Sequence, residues 1–393
     1  MNRPTMNALD RLDPHYDVVI VGARVAGAAT AMLLARAGLR VLAVDRSPEG
    51  SDTLSTHALM RGAVLQLARW GLIPALERAG TPAIRTTTFH YGDESLAIPI
   101  KSRDGVDSLL APRRTVLDPL LVAAARDSGA EVLHSVRALD LLRDNQGRVR
   151  GVALAARDGR VVPVAAGMVI GADGLRSNIA RMAGAAVGYA ARHAAPNLYR
   201  YVPGLELDGY HWHYRTGVSG GGIPTNDGLT GVFVAVPRDR YDRERAGGLA
   251  PLFARALTEV APELSARMPE CPLAGPIRAF DGEPGFLRAA YGPGWALVGD
   301  AGAFRDPITS HGITDALRDA EWLAHAIVRG GDSTLAEYEA ARDDLMRDMV
   351  RLSDAIASFD WSLDEVRGLH LELSRLMTRG VEAIRLGPGS LAA

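Results

Sequence analysis

Asp17–Val21 (DVVIV) is a short apolar run rich in β-branched residues, the pattern of a strand buried on both faces. A glycine-marked turn follows. Ala26–Gly38 (AGAATAMLLARAG) is then apolar almost all round, which predicts a buried helix closed by Gly38. Arg40–Asp45 (RVLAVD) predicts the next strand. Strand, turn, helix and strand within about 30 residues form the unit that two parallel strands require.

The pattern then changes twice. Thr86–Ile100 alternates like a strand, and Leu117–Val132 returns to a helix followed by a strand. Val161–Gly174 reads as a hairpin arm leading into another buried strand. From about Val187 to Phe280, Gly, Pro, Tyr, Trp and β-branched runs predict an antiparallel sheet. Gly294–Asp300 (GWALVGD) restores the earlier pattern, and the rest is helical. A discontinuous α/β domain is therefore expected over 16–85, 110–186 and 281–330. An inserted sheet domain is expected over 86–109 and 187–280, and a helical segment over 331–393.

Composition narrows the partners. With 47% hydrophobic residues in 393, a sizeable core can form. The 44 basic and 46 acidic residues nearly cancel, which gives no reason to expect nucleic acid or an anionic membrane. Cys271 is the single cysteine, so an internal disulfide framework and a cysteine-based metal site are excluded. The leader Met1–His15 lacks the apolar core of a signal peptide, and no uncharged apolar run has membrane-spanning length. The expectation is a cytoplasmic protein with no membrane span.

Three motifs carry chemistry. Gly22–Gly27 (GARVAG) lies between a strand and a helix, where free N–H groups and the positive end of the helix dipole suit a pyrophosphate. Asp45 ends the second strand, where a carboxylate can accept hydrogen bonds from a ribose. Arg24 stands where the dinucleotide fingerprint has its middle glycine; either its side chain points outward or it meets a phosphate or the cofactor ring. Met168–Ser177 (MVIGADGLRS) and Gly294–Glu321, with Gly299-Asp300, place two further carboxylates at strand ends. In His211–Tyr214 the histidines alternate with Trp212 and Tyr214, and one of the two faces can line a substrate chamber. His211 and His213 lack an apparent third ligand, so no metal site is expected.

The ordered set of dinucleotide turn, Asp-Gly motif and Gly-Asp motif, from Asp17 to about Arg329, resembles the FAD-dependent aromatic hydroxylases (group A flavin monooxygenases). Geranylgeranyl reductases and flavin halogenases share that fold type. The resemblance implies an α/β fold: a Rossmann-like FAD-binding domain of three ββα layers, an inserted antiparallel substrate sheet and C-terminal helices. It implies FAD contacts from Gly22, Ala23, Arg24, Ala26, Gly27, Asp45, Arg46, Arg114, Val136, Asp173, Gly299, Asp300, Pro307, Gly312 and Ile313. Among these, Asp300 would hold the ribityl chain, Arg114 the phosphate and ribityl region, and the Val136 backbone the adenine. Asp173 would lie beside the flavin, near where NAD(P)H docks.

Catalytic candidates are His57, His213 and His311. His311 is either a proton donor or a positioning residue along the ring, and His57 either touches ring or substrate or is an ordinary helix-start residue. The implied activity is a monooxygenase hydroxylating or epoxidising an aromatic or polyketide-like molecule through a C4a-hydroperoxyflavin, with O₂ and NAD(P)H or a separate flavin reductase. A monomer or homodimer is expected. The main alternative is a geranylgeranyl-reductase-like reduction of a C=C bond, because Asp306–Gly312 (DPITSHG) matches the loop of those enzymes. A flavin-binding protein without turnover is a third reading. Halogenation is not expected: Lys101 is the only lysine, and the halogenase Trp-x-Trp-x-Ile-Pro motif does not occur.

Overall fold

The first strand, His15–Val21, pairs in parallel with Val41–Asp45 on one side and with the C-terminal half of Val161–Gly171 on the other. The computed structural model describes residue 9 and residues 12–268 and 274–387. The parallel core extends through Glu131–His134 at one edge and Trp295–Leu297 at the other, with Tyr291–Gly292 added antiparallel beyond it. Helices Val25–Arg36, Arg114–Asp127 and Gly312–Arg329 cover one face, burying Ala28, Met32, Leu117 and Leu317. An antiparallel meander of Arg137–Arg143, Val149–Ala155 and the start of Val161–Gly171 covers the other. There Val152, Leu154 and Val164 share a core with Val19, Leu42 and Val44. This is the expected ββα layering. It explains why the first strand is apolar at successive rather than alternate positions.

A second, seven-stranded sheet is built from Thr86–Tyr91, Glu94–Pro99, Asn197–Pro203, Tyr210–Arg215, Val218–Pro224, Leu229–Ala235 and Ala274–Phe280. Its pairings are antiparallel except one: Thr86–Tyr91 runs parallel to Tyr210–Arg215, with His90 opposite His213. The inner face, with Tyr199, Tyr201, Trp212 and Tyr214, packs against Ala58, Ile308, Ile356 and Trp361. The outer face, with Leu198, Val202, Val232 and Val234, lies under helix Leu249–Val260.

Two expectations for 187–280 need correction. Val187–Ala190 joins a separate three-stranded sheet with Phe286–Arg288 and Ala303–Phe304. Arg238–Glu244, Leu249–Val260 and Pro262–Arg267 are helices, not strands. Leu252, Phe253, Ala256, Leu257 and Val260 recur at helical spacing and are all buried, a period hidden by the aromatic and glycine-rich strands around it.

The C-terminal segment closes back on the chain. Asp332–Ala357 packs on Gly312–Arg329, and Leu363–Leu386 packs on Arg61–Arg69 and brings His370 to 4.5 Å from Tyr214. A capping box of Ser362 and Glu365 starts the last helix. Cys271 and most of the leader Met1–His15 lie outside the described residues, although Leu9 is buried against the meander side of the parallel sheet. Among the described residues, no helix is long and apolar enough to cross a membrane.

Candidate active site

The three motifs meet at the C-terminal edge of the parallel sheet because their backbones touch. Gly22 has φ +107°, and a Cβ there would lie 2.2 Å from the carbonyl oxygen of Ala172, in the Asp-Gly motif. A Cβ on Gly299, in the Gly-Asp motif, would lie 2.9 Å from the Cβ of Ala26, in the dinucleotide helix. Gly27 is buried against the carbonyl of Gly22. Only glycines let these three strand ends approach so closely.

At the helix start, Arg24 is the N-cap residue but makes no side-chain capping bond, so the first amides of Val25–Arg36 stay open to the cleft. Asp45 is buried; it accepts from the N–H of Ala23 at 2.9 Å and of Ser47 at 2.8 Å. The N–H of Val136 donates to the Asp45 carbonyl. A shallow cleft opens between Arg24, Asp45, Asp118 and His134. Arg46 points to solvent beside it.

Arg24 turns sideways instead of outward. Its guanidinium bonds Asp118 at 3.0 Å and Ser51 at 3.2 Å, and Asp118 also receives Arg114 at 2.7 and 3.0 Å. Arg113 and Arg278 converge on Asp52, at 3.3 and 2.9 Å. Arg24 and Arg114 thus share Asp118, while Arg113 divides between Asp52 and, at 3.8 Å, Asp227, so the cluster gathers guanidinium groups of the kind that recognise phosphate beside the turn. Asp52, Arg113, Asp118 and Arg278 were not singled out in the sequence. The one local sign was Asp118, four residues after Arg114 on one helix face.

Asp300 sits partly exposed at the floor, and its carboxylate has no hydrogen-bond partner among the described residues. Burial, together with the negative Asp315 and Asp319, pushes it up to about 6, against the pull of Arg114 and Arg305. A carboxylate left without protein donors fits a ligand that brings hydroxyl donors. Asp173 does not remain free in this way. It accepts from Ser177 at 2.5 Å and from the amides of Asn178 and Ile179, so it fastens the start of helix Asn178–Ala183.

The loop Asp306–Gly312 is anchored on three sides. Asp306, buried and pushed up to about 7 by its burial, accepts from Ala195 at 2.7 Å and from Ile308 at 2.9 Å. Thr309 meets Ser353 at 3.1 Å. Beneath the loop, Arg305 lies 2.7 Å from Asp315, and Arg318 bridges Asp315 and Asp319. Gly312 begins an 18-residue helix with no side-chain cap, so its first amides and those of Ile313 are open above Pro307.

The proton-donor reading of His311 is corrected here. Burial and the Arg305 cation push the ring down to about 3, so it is neutral. Nδ1 faces the Thr309 carbonyl, which can only accept, so Nδ1 carries the proton. Nε2, buried and without a hydrogen-bond partner among the described residues, is therefore an acceptor. His213 is corrected too: it alternates with Trp212 and Tyr214 and lies on the outer face of the sheet, away from the Ile308 loop.

His57 stays at the seam between the two sheets. It is buried, holds φ +69°, stacks on Tyr201 at 5.7 Å and hydrogen-bonds the Tyr201 hydroxyl through Nε2. Burial and the Arg114 cation push it down to about 3, and burial pushes the Tyr201 phenol up, so both are uncharged. Arg113 covers the other side of Tyr201 at 4.5 Å.

A phosphate turn, an open carboxylate and an uncapped helix start on one sheet edge define a dinucleotide-binding flavoprotein fold. The chain belongs to the FAD-binding domain family, which matches residues 15–353, and it is an FAD-dependent oxidoreductase. It is 30% identical to the menaquinone reductase of Mycolicibacterium smegmatis over 86% of this chain and 81% of that one. It is 28% identical to the digeranylgeranylglycerophospholipid reductase of Methanothrix thermoacetophila over 92% and 96%. The solved flavin-dependent brominase Bmp2 superposes with a TM-score of 0.79 at 20% identity, over 93% and 94%, a likeness of fold.

Proposed function

We propose that this protein is a reductase that saturates a C=C bond in an isoprenoid-like apolar chain, the alternative in the sequence reading, rather than a monooxygenase. The observation that carries it is the span of the likeness to the two reductases. At 86% and 92% of the chain, it takes in the substrate sheet and not the nucleotide domain alone. The inner face of that sheet is apolar and aromatic, with Tyr91, Trp212, Tyr214 and Trp361 packed together in one core, surroundings chemically compatible with an apolar substrate nearby.

The residues divide the labour as follows. The open amides of Val25–Gly27, with Arg114, take the pyrophosphate, while Arg24 stays on Asp118; Asp45 takes the ribose and Asp300 the ribityl hydroxyls. The amides of Gly312 and Ile313 take the polar edge of the ring, where a helix start favours negative charge. When bound and reduced, FAD supplies the two electrons and one hydrogen that add to the double bond. NAD(P)H is the proposed source of its electrons, and a proton completes the product. Tyr201, protonated and steadied by His57, orients the substrate side of the seam, and His311 accepts a hydrogen bond through Nε2.

The test offers the FAD-loaded protein, reduced under anaerobic conditions, menaquinone and a geranylgeranyl lipid in turn. The product is then read by mass spectrometry. A gain of two hydrogens without O₂ that remains after any quinol is reoxidised to the quinone supports the reductase. A gain of one oxygen, only when O₂ is admitted, returns the assignment to the monooxygenase.

A further inference from the structure

We propose that His90, His211 and His213 form a binding site for a divalent transition-metal ion, Zn²⁺ first, on the outer face of the substrate sheet. The sequence reading set a metal aside because His211 and His213 had no third ligand. The third comes from a different strand, through the one parallel pairing of the sheet, which sets His90 opposite His213. One ring nitrogen from each of the three lies within 4.8 Å of the others.

Two of the three rings have a hydrogen-bond partner that can set the tautomer. His211 Nε2 meets Asp208 at 2.6 Å, so Nε2 carries the proton and Nδ1 presents its lone pair. His90 Nδ1 meets the Ser95 hydroxyl at 2.7 Å, and its Nε2 lies 3.1 Å from that same Nδ1 of His211. His213 has no hydrogen-bond partner on its ring among the described residues and stacks on His90 at 3.9 Å. A carboxylate behind one histidine and a hydroxyl behind another are the outer contacts that orient metal-binding imidazoles.

The geometry is close to what a metal requires. Zn–N bonds of about 2.0–2.1 Å in a tetrahedron place ligand nitrogens about 3.3 Å apart. The His90–His211 separation is already near that value. The His213 ring, stacked on His90, has to turn out of that stack for its lone pair to point at the same ion. The strand beside them faces His213 and His211 with Gly220 and Gly222, so no side chain from that strand covers the rings. Three neutral imidazoles leave one position for water, and imidazole suits Zn²⁺ among biological cations. The ion would fasten the edge hairpin Thr86–Pro99 to Tyr210–Arg215. The flavin cleft, on the other face, is left untouched.

The test uses the full chain without a histidine tag, stripped with chelator and titrated with ZnCl₂ alone. About one Zn²⁺ per chain is expected, and Co²⁺ in its place should give the visible absorption of a tetrahedral site. His90→Ala and His213→Ala should lose the ion while keeping FAD. Asp208→Asn, at an exposed side chain that the fold does not need, should weaken Zn²⁺ by about 10–100-fold. Zn²⁺ binding that is equal in the wild type and Asp208→Asn, or that survives His213→Ala, overturns the proposal.

Discussion

Arg24 and Asp118 are joined by a 3.0 Å ion pair across the mouth of the dinucleotide turn. The pair explains how an arginine can replace the glycine of the fingerprint. Its side chain is drawn off the helix axis toward Asp118, which Arg114 holds from the other side. The backbone at the turn stays open, and the guanidinium joins the wall of the cleft. Asp118→Ala should weaken FAD by about 10–100-fold, since it frees two arginines at once. Arg24→Gly, which restores the fingerprint and leaves Asp118 with Arg114, should bind FAD within about threefold of the wild type. Flavin fluorescence titration measures both. Equal losses in the two variants would show that Arg24 itself holds the phosphate.

Gly22→Ala tests the packing of the motifs. The left-handed φ and the 2.2 Å approach to Ala172 leave no room for a methyl group. A loss of about 3 kcal/mol of stability is expected, together with loss of FAD. Chemical denaturation of the apoprotein reads the first, and absorbance of the purified protein reads the second. A stable, yellow Gly22→Ala protein would remove the glycine turn from the site.

Asp300 makes FAD affinity depend on pH. Its carboxyl is raised to about 6, and ribityl hydroxyls donating to it favour the ionised form. Binding is therefore linked to proton release, so affinity should rise from pH 5 to pH 7 and then level off. Asp300→Asn should flatten the curve. Titrating FAD across this range checks the sign.

Asp306 acts on stability with the opposite slope. A carboxyl raised to about 7 in the folded chain favours the protonated fold. Its contribution is complete below the ordinary carboxyl pKa and is lost as pH rises through about 7, on the order of a few kcal/mol. Asp306→Asn, which cannot ionise, should remove that decline. Tm against pH for the apoprotein provides the comparison.

His57 and Tyr201 are joined in one hydrogen bond while lying 144 residues apart in sequence. Tyr201→Phe should keep FAD and fold and lower kcat by about tenfold or more, with no new ionisation near neutral pH because His57 is already neutral. Steady-state pH profiles of the two proteins, with whichever test compound the anaerobic assay shows to be turned over, decide this. An unchanged kcat would make the pair structural.

The sequence by itself determined the local geometry and the chemistry at strand ends. Val18–Val21 is apolar at every position because it is covered on both faces, and Gly22, Asp45, Gly299 and Asp300 are legible because such turns admit few residue types. Helix Leu249–Val260 was just as local, but its period was masked by the strands around it. The tertiary structure alone decided which distant side chains meet. Nothing in the sequence spacing sets Arg24 beside Asp118, Arg278 beside Asp52 or Tyr201 on His57, nor adds His90 to His211 and His213. Each of these pairings depends on strand order and register, in particular the one parallel pair in an otherwise antiparallel sheet. Register depends on how whole faces pack, and no window of neighbouring residues contains that information.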